Sequence, residues 1–107
     1  MRRYGSVIQV KAEKLEEYKK LHANVWPEVL SMISICNIRN YSIFYRDGFL
    51  FSYFEYIGEN HAQDMAKMAT DPATQKWWKL TAPCQIPFEN RQAGEWWASM
   101  EEVFHSD

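Results

Sequence analysis

The chain has 107 residues and a formal net charge of −2; 47% of its residues are hydrophobic and 24% are charged. This composition is typical of one folded domain, so we expect a single domain over residues 1–107 and exclude a disordered chain. The charge balance and the lack of a basic patch argue against nucleic-acid binding. No apolar run approaches the roughly 18 residues of a membrane span, and the N-terminus lacks a signal-peptide core. We therefore expect a cytoplasmic protein with no membrane partner.

The first third of the chain predicts a strand and then a helix that breaks at a proline. Residues 4–11 alternate between more and less apolar side chains, which is typical of a strand. From Ala12 onward, apolar residues recur at spacings of three and four, which is typical of an amphipathic helix. Pro27 lacks an amide hydrogen and disfavours helical geometry at Trp26, so we expect a break there and a second helix over residues 28–35.

The middle of the chain predicts a β-hairpin. Residues 40–45 and 49–57 are rich in Tyr, Phe and Ile, as strands usually are. Between them, Asp47 and Gly48 form a pair that readily adopts the positive φ values of a tight turn.

The last part of the chain predicts two helices, a loop and a strand. Asn60 is a predicted N-cap of one helix, and Asp71 caps a second helix that starts with Pro72. Residues 84–95 have no periodicity and predict a long loop, either a lid or an arm of a dimer. Residues 100–105 are the candidate for a last short strand.

The resulting order of elements is strand, helix, strand, strand, helix, strand. It predicts a ferredoxin-like βαββαβ fold in which an antiparallel four-stranded sheet carries its helices on one face. The other face would be bare and aromatic, and five Trp and six Tyr exceed what one small core needs. We therefore expect a homodimer of the dimeric α+β barrel type, joined through this face and the region of Trp96 and Trp97.

His22 is the first candidate for chemistry, because it interrupts the apolar stripe of the first helix. Tyr18 lies one turn before it and Trp26 one turn after it. Two interpretations stay open: an acid/base group lining a pocket, or a core histidine satisfied by one hydrogen bond. We expect His61, near a helix start, to be solvated, and His105 to lie on the surface.

No metal site is expected. The histidines lack metal-ligand spacing, and Cys36 and Cys84 stand alone, far apart in the sequence. We expect two buried free thiols and neither a disulfide nor a zinc site.

Several segments resemble the L-rhamnose mutarotase family. They are Glu-Tyr-Lys-Lys-Leu-His-Ala-Asn-Val-Trp-Pro-Glu at 17–28, Asn-Tyr-Ser-Ile-Phe at 40–44, Leu-Phe-Ser-Tyr-Phe-Glu at 50–55, Asp-Pro-Ala-Thr-Gln-Lys-Trp-Trp at 71–78 and Met-Glu-Glu-Val-Phe at 100–104. They occur in the family's order over nearly the whole chain, and His-x-x-x-Trp-Pro-Glu with Trp-Trp is a specific combination. Two departures are Leu21, where the family often has Arg, and Cys36-Asn37, which replaces a segment with a usual glycine.

The resemblance implies a small dimeric α+β isomerase that interconverts the α and β anomers of L-rhamnose, or a closely related 6-deoxy sugar, without a cofactor. It implies that His22 is the acid/base residue and that Tyr18, Tyr41, Trp77 and Trp78 bind the sugar. Mutarotation moves protons at two oxygens, and one imidazole does not obviously serve both. Tyr18, Tyr41 or a bound water are the candidates for the second group.

Two rival functions belong to other classes. A haem-binding monooxygenase of the same architecture would use His22 as an axial ligand. A non-catalytic ligand-binding or dimerisation domain would use the aromatic residues as interface core. Fold alone does not separate these functions, because one fold can carry several.

Overall fold

The computed structural model describes all 107 residues. Nine helices and strands follow one another along the chain, joined in two places by short 3₁₀ turns, Ala12–Lys14 and Ala82–Cys84. In chain order they are β1 (Arg2–Val10), α1 (Leu15–Ala23), α2 (Pro27–Ile35), β2 (Ile38–Arg46), β3 (Phe49–Tyr56), α3 (His61–Ala69), α4 (Pro72–Thr81), β4 (Gln85–Ile86) and β5 (Ala98–Met100).

The sheet has four antiparallel positions, and the fourth is divided between two short strands. Its order is β2-β3-β1-β4, and β5 pairs with β1 as well. β4 pairs at one end of β1, where Gln85 lies opposite Val10, and β5 pairs further along, where Met100 lies opposite Gly5. The expected βαββαβ order is therefore confirmed, with residues 87–97 interrupting the last strand.

Two details of the C-terminal part were predicted wrongly. The expected loop at 84–95 contains β4, because Gln85 and Ile86 complete the edge of β1. The last strand is Ala98–Met100, and residues 101–107 form neither helix nor strand. Beyond Met100 the link to β1 is a side-chain ion pair, 2.8 Å between Arg3 Nε and Glu102 Oε2, instead of a backbone ladder.

Local sequence signals account for the turns and helix ends. Asp47 and Gly48 have φ values of 50° and 88°, as the hairpin turn requires. Trp26 is extended, with ψ 138°, so α1 and α2 are separate helices and the predicted break at Pro27 is confirmed. Asn37 follows α2 with φ 66°, a conformation that Asn tolerates where glycine is usual at a helix end.

The helices pack against one face of the sheet in two apolar clusters. The first cluster joins α1 to β1 and β3 and contains Ile8, Val10, Tyr18, Leu50 and Cys84. The second cluster joins α2 and α3 to the other end of the sheet and contains Cys36, Ile38 and Met68. Both cysteines are fully buried free thiols, as expected.

The opposite face of the sheet is open and aromatic, as expected. Phe44 and Phe51 are neighbours across β2 and β3, and their side chains are 65% and 38% exposed. Trp97 is partly buried against the chain's own first cluster and Trp96 is 43% exposed, so the expected part of this region in an interface stays a prediction. No helix has the length and apolar character needed to cross a bilayer.

Candidate active site

His22 lies near the end of α1, where its ring stacks on Tyr18 with the centroids 4.2 Å apart. Its Nδ1 lies 2.9 Å from the carbonyl oxygen of Tyr18, one helical turn earlier. A carbonyl oxygen only accepts hydrogen bonds, so Nδ1 carries the hydrogen and donates it. In the neutral imidazole the free lone pair is therefore on Nε2.

The Nε2 atom of His22 is available to a ligand. It has no hydrogen-bond partner within the chain. The only unpartnered side-chain nitrogen or oxygen that is buried is Nε2 of His61, so Nε2 of His22 is accessible from outside. Burial of the ring lowers the pKa of His22, and the bond to the Tyr18 carbonyl opposes this as the smaller effect. His22 is consequently a neutral base at physiological pH, with one nitrogen fixed and the other open. The ring is satisfied by one hydrogen bond, as the core-histidine interpretation expects, and the acid/base role stays a prediction.

Helix α4 supplies the wall beside the imidazole. Trp77 is 6% exposed, and its ring meets His22 and Trp26 edge to face, each at a centroid separation of 5.3 Å. Trp78 follows about a quarter-turn later and is 43% exposed, and its ring makes no aromatic contact with His22. The structure therefore brings Trp77 to His22 and places Trp78 on the outer side of α4.

A hydrogen-bonded chain holds the hydroxyl end of Tyr18. Gln85 Nε2 lies 3.2 Å from Tyr18 Oη, and the indole N–H of Trp96 donates to Gln85 Oε1 at 2.8 Å. Gln85 is only 7% exposed, which is unusual for an amide side chain. Sequence analysis missed Gln85 because it lies in the segment predicted as a loop. A polar residue next to buried Cys84 was the one available signal.

Tyr41 reaches the helix side of the sheet through a β-bulge. The pairing shifts between Arg39 and Ser42, and the extra residue allows the Tyr41 ring to lie 5.6 Å from that of Phe54, between centroids. Burial raises the pKa of the Tyr41 hydroxyl, although 42% of the residue as a whole is exposed. Tyr41 is also near enough for its charge to contribute to the raised pKa of Tyr18, after burial.

The other two histidines lie outside this cluster. The prediction that His61 is solvated is wrong, because its ring stacks on Tyr4 at 4.4 Å between centroids and its Nε2 is buried. His105 lies on the surface as expected, with Nε2 2.9 Å from an Asp107 oxygen.

Two concavities of about 320 and 680 Å³ lie away from the cluster around His22, one beside the open sheet face and one at the start of α3, and none of the predicted site residues lines either of them. His, Cys, Asp and Glu side chains do not come together in any group of three that would hold a metal ion.

Comparisons with known proteins show the family to which the chain is similar. A family model described as L-rhamnose mutarotase matches residues 3–106. The L-rhamnose mutarotase of Oceanobacillus iheyensis is 34% identical over 109 residues, covering 100% of both chains, and that of Bacillus subtilis gives the same values. That of Phocaeicola vulgatus is 36% identical over 94 residues and 86% of each chain.

Solved structures confirm the fold class. The crystal structure of an L-rhamnose mutarotase from Formosa agariphila superposes with a TM-score of 0.79 and 21% identity over 100% of both chains. Tetracenomycin F2 cyclase from Streptomyces glaucescens, a type-II polyketide cyclase, gives a TM-score of 0.72 and 13% identity over 99% of this chain and 96% of its own. The expected ferredoxin-like protomer of the dimeric α+β barrel class is confirmed. With the family match across almost all of its length, the chain belongs to the L-rhamnose mutarotase family.

Proposed function

We propose that this enzyme is an isomerase that interconverts the α and β anomers of L-rhamnose, or of a closely related 6-deoxy sugar, by acid/base ring opening and reclosure without a cofactor. The observation that carries the proposal is the fixed tautomer of His22. Its Nδ1 is bound to the Tyr18 carbonyl, and its Nε2 is an unpartnered base open to a ligand. The several L-rhamnose mutarotases among its relatives support the choice of sugar.

The chemistry begins at the anomeric hydroxyl. Nε2 of His22 takes its proton, the bond from C1 to the ring oxygen breaks, and a proton is delivered to the ring oxygen to give the open aldehyde. Rotation about C1–C2 presents the other face of the carbonyl, and the steps then run in reverse. While the ring is open, the imidazolium keeps its Nδ1–H on the Tyr18 carbonyl, and that hydrogen bond is stronger for the charged form.

The aromatic residues provide the surface for the sugar. Aromatic faces pack against the C–H groups of a pyranose, and hydroxyl and indole groups bond its oxygens. We assign Tyr18 and Trp77 to this role because their rings contact His22, and Tyr41 because it lies near enough to Tyr18 to influence its pKa. Trp78 is assigned an outer contact, since its ring is 43% exposed and lies about a quarter-turn of α4 away from Trp77.

The rival functions have less support. A haem-binding monooxygenase would need His22 as an axial ligand, and a non-catalytic domain would need no available base. The relatives that match across the full chain are mutarotases, and His22 presents an open nitrogen beside two aromatic rings, those of Tyr18 and Trp77. A shift of the haem absorbance band that His22→Ala abolishes would favour the first rival, and absence of anomer exchange would favour the second.

We also propose that the protein is a homodimer, and that it acts in the cytoplasm. The exposed Phe44 and Phe51 form part of an apolar sheet face that a second copy would cover. The two free thiols are typical of a reducing compartment.

The deciding experiment measures anomer exchange of L-rhamnose by NMR, with and without protein. We expect His22→Leu to slow the exchange by at least about tenfold, a floor below the usual effect of losing an acid/base group. His61→Leu is the matched control, because it removes another half-buried histidine that stacks on a tyrosine. A folded His22→Leu protein with the wild-type rate would refute the assignment of His22, and a wild-type protein without effect on any 6-deoxy sugar would refute the function.

A further inference from the structure

The contacts of Gln85 fix the orientation of its amide group. The indole N–H of Trp96 is only a donor, so the atom that faces it at 2.8 Å has to be the amide oxygen. The amide nitrogen then faces Tyr18 Oη at 3.2 Å and donates to it. Backbone pairing keeps Gln85 in place, because β4 sets it opposite Val10 at the edge of the sheet. The direction of the hydrogen bonds is thus Trp96 to Gln85 to Tyr18.

This direction determines what the Tyr18 hydroxyl can do. Its oxygen already accepts the hydrogen bond from Gln85, so its own hydrogen points elsewhere. The chain offers that hydrogen no acceptor, since Gln85 is the only hydrogen-bond partner of the hydroxyl. Tyr18 is only 4% exposed, and buried donors are normally satisfied. An oxygen of a bound ligand would complete the bond.

We propose that Gln85, held by Trp96, is a positioning residue that directs the Tyr18 hydroxyl hydrogen towards the ring oxygen of the bound sugar. Tyr18 is then the second proton carrier beside His22. This inference rests on the proposed mutarotase function.

The protons balance over the whole reaction. His22 Nε2 takes the proton of the anomeric hydroxyl while Tyr18 gives its own to the ring oxygen and the C1–O bond breaks. After rotation about C1–C2, the phenolate takes the proton back as the ring oxygen attacks C1, and His22 returns its proton to the new anomeric oxygen. Burial keeps the pKa of Tyr18 raised, so the hydroxyl holds its proton at neutral pH, and the Gln85 N–H opposes this by stabilising the phenolate.

Gln85→Glu tests the direction of the bond with little change of shape. The carboxylate still accepts from Trp96, but it now also accepts from Tyr18 and so takes the hydrogen away from the sugar. We expect anomer exchange to fall at least about tenfold at pH 8, as for the loss of an acid/base group. As the pH falls and the carboxyl becomes protonated, it donates to Tyr18 again, and the ratio of variant to wild-type rate should rise. A reduction that is purely structural would give the same ratio at every pH.

The Tyr18→Phe background is the matched control. There the hydroxyl is absent, so adding Gln85→Glu should change the remaining rate by less than about twofold, because coupled residues are not additive. If Gln85→Glu does not fold, Gln85→Leu takes its place in the same cycle with the same expectation. For Gln85→Glu, a ratio independent of pH would overturn the role of Gln85; for either variant, an unchanged rate or additive effects would do so. A wild-type protein without any anomer exchange would instead overturn the mutarotase function itself.

Discussion

Asp71→Ala tests how the start of α4 supports the site, because this helix carries Trp77 to the ring of His22. One carboxylate oxygen of Asp71 accepts two hydrogen bonds from Thr74, from the backbone N–H at 2.9 Å and from the hydroxyl at 2.8 Å. Thr74 is 3% exposed, so water cannot replace the lost partner of its hydroxyl. The substitution therefore removes an N-cap and leaves a buried hydroxyl unpaired.

Both effects can be given magnitudes. Losing an Asp N-cap costs about 0.5–2 kcal/mol, and an unsatisfied buried polar group costs about 1–3 kcal/mol. Because both bonds end on the same oxygen, we expect a combined loss of roughly 2–4 kcal/mol in the free energy of unfolding. For a domain of this size, that lowers Tm by roughly 10–25 °C. The loss is a large part of the total stability of about 5–15 kcal/mol that is usual for a domain.

Urea unfolding followed by tryptophan fluorescence, at one protein concentration for all variants, measures the change. Asp71→Asn is the matched control, since its amide oxygen can still accept the hydrogen bonds from Thr74. This variant should keep more than half of the free energy of unfolding that Asp71→Ala loses. Adding Thr74→Val to Asp71→Ala removes the orphaned hydroxyl and should restore roughly 1 kcal/mol. A loss below about 0.5 kcal/mol in Asp71→Ala, within the range of ordinary surface changes, would refute the reasoning.

Three further predictions concern pH, assembly and metal. Burial lowers the pKa of His22 below the ordinary 6.5, so exchange should persist as the pH falls through 6.5 and decline only below it. The stability contributed by keeping this ring neutral is complete above pH 6.5 and is lost as the pH falls below that value. An NMR titration of the His22 ring with a midpoint at or above pH 6.5 would contradict both the activity and the stability prediction. Light scattering should give about twice 12.7 kDa, and Phe44→Lys should shift the protein towards monomer; a wild-type monomer at micromolar concentration would oppose the dimer. A chelator should leave the exchange rate unchanged, whereas a loss that zinc restores would count against a metal-free reaction.

Local signals made most of the fold predictable from the sequence. The Asp47-Gly48 turn and the caps at Asn60 and Asp71 depend on residues within one turn of chain, and the structure has all of them. β4 was missed because two residues carry no periodic pattern and become a strand only through pairing with the end of β1. The network of Gln85 and Trp96 was missed for the same reason, since it depends on that long-range pairing.

Tyr41 shows how one extra residue limits a prediction from alternation. Strict alternation from Arg39 would place Tyr41 on the open face of the sheet, away from the helices. Asn40 adopts φ 51°, and the bulge there brings Tyr41 against Phe54 on the helix side. The resemblance to the mutarotase family implies a role for Tyr41, whereas alternation alone would give the wrong face.

The contrast between His22 and His61 explains why the residue type alone does not define the base. Both rings are half-buried, both stack on a tyrosine, and burial lowers the pKa of both. His22 is the eighth residue of α1, so the carbonyl of the preceding turn fixes its Nδ1–H and leaves Nε2 open. His61 is the first residue of α3, has no helical turn before it, and its Nε2 is buried without a partner. The position of each histidine along its helix therefore explains why Nε2 of His22 is open to a ligand and Nε2 of His61 is not. If His61→Leu slowed anomer exchange as much as His22→Leu, general loosening of the fold and not the loss of a base would be the cause.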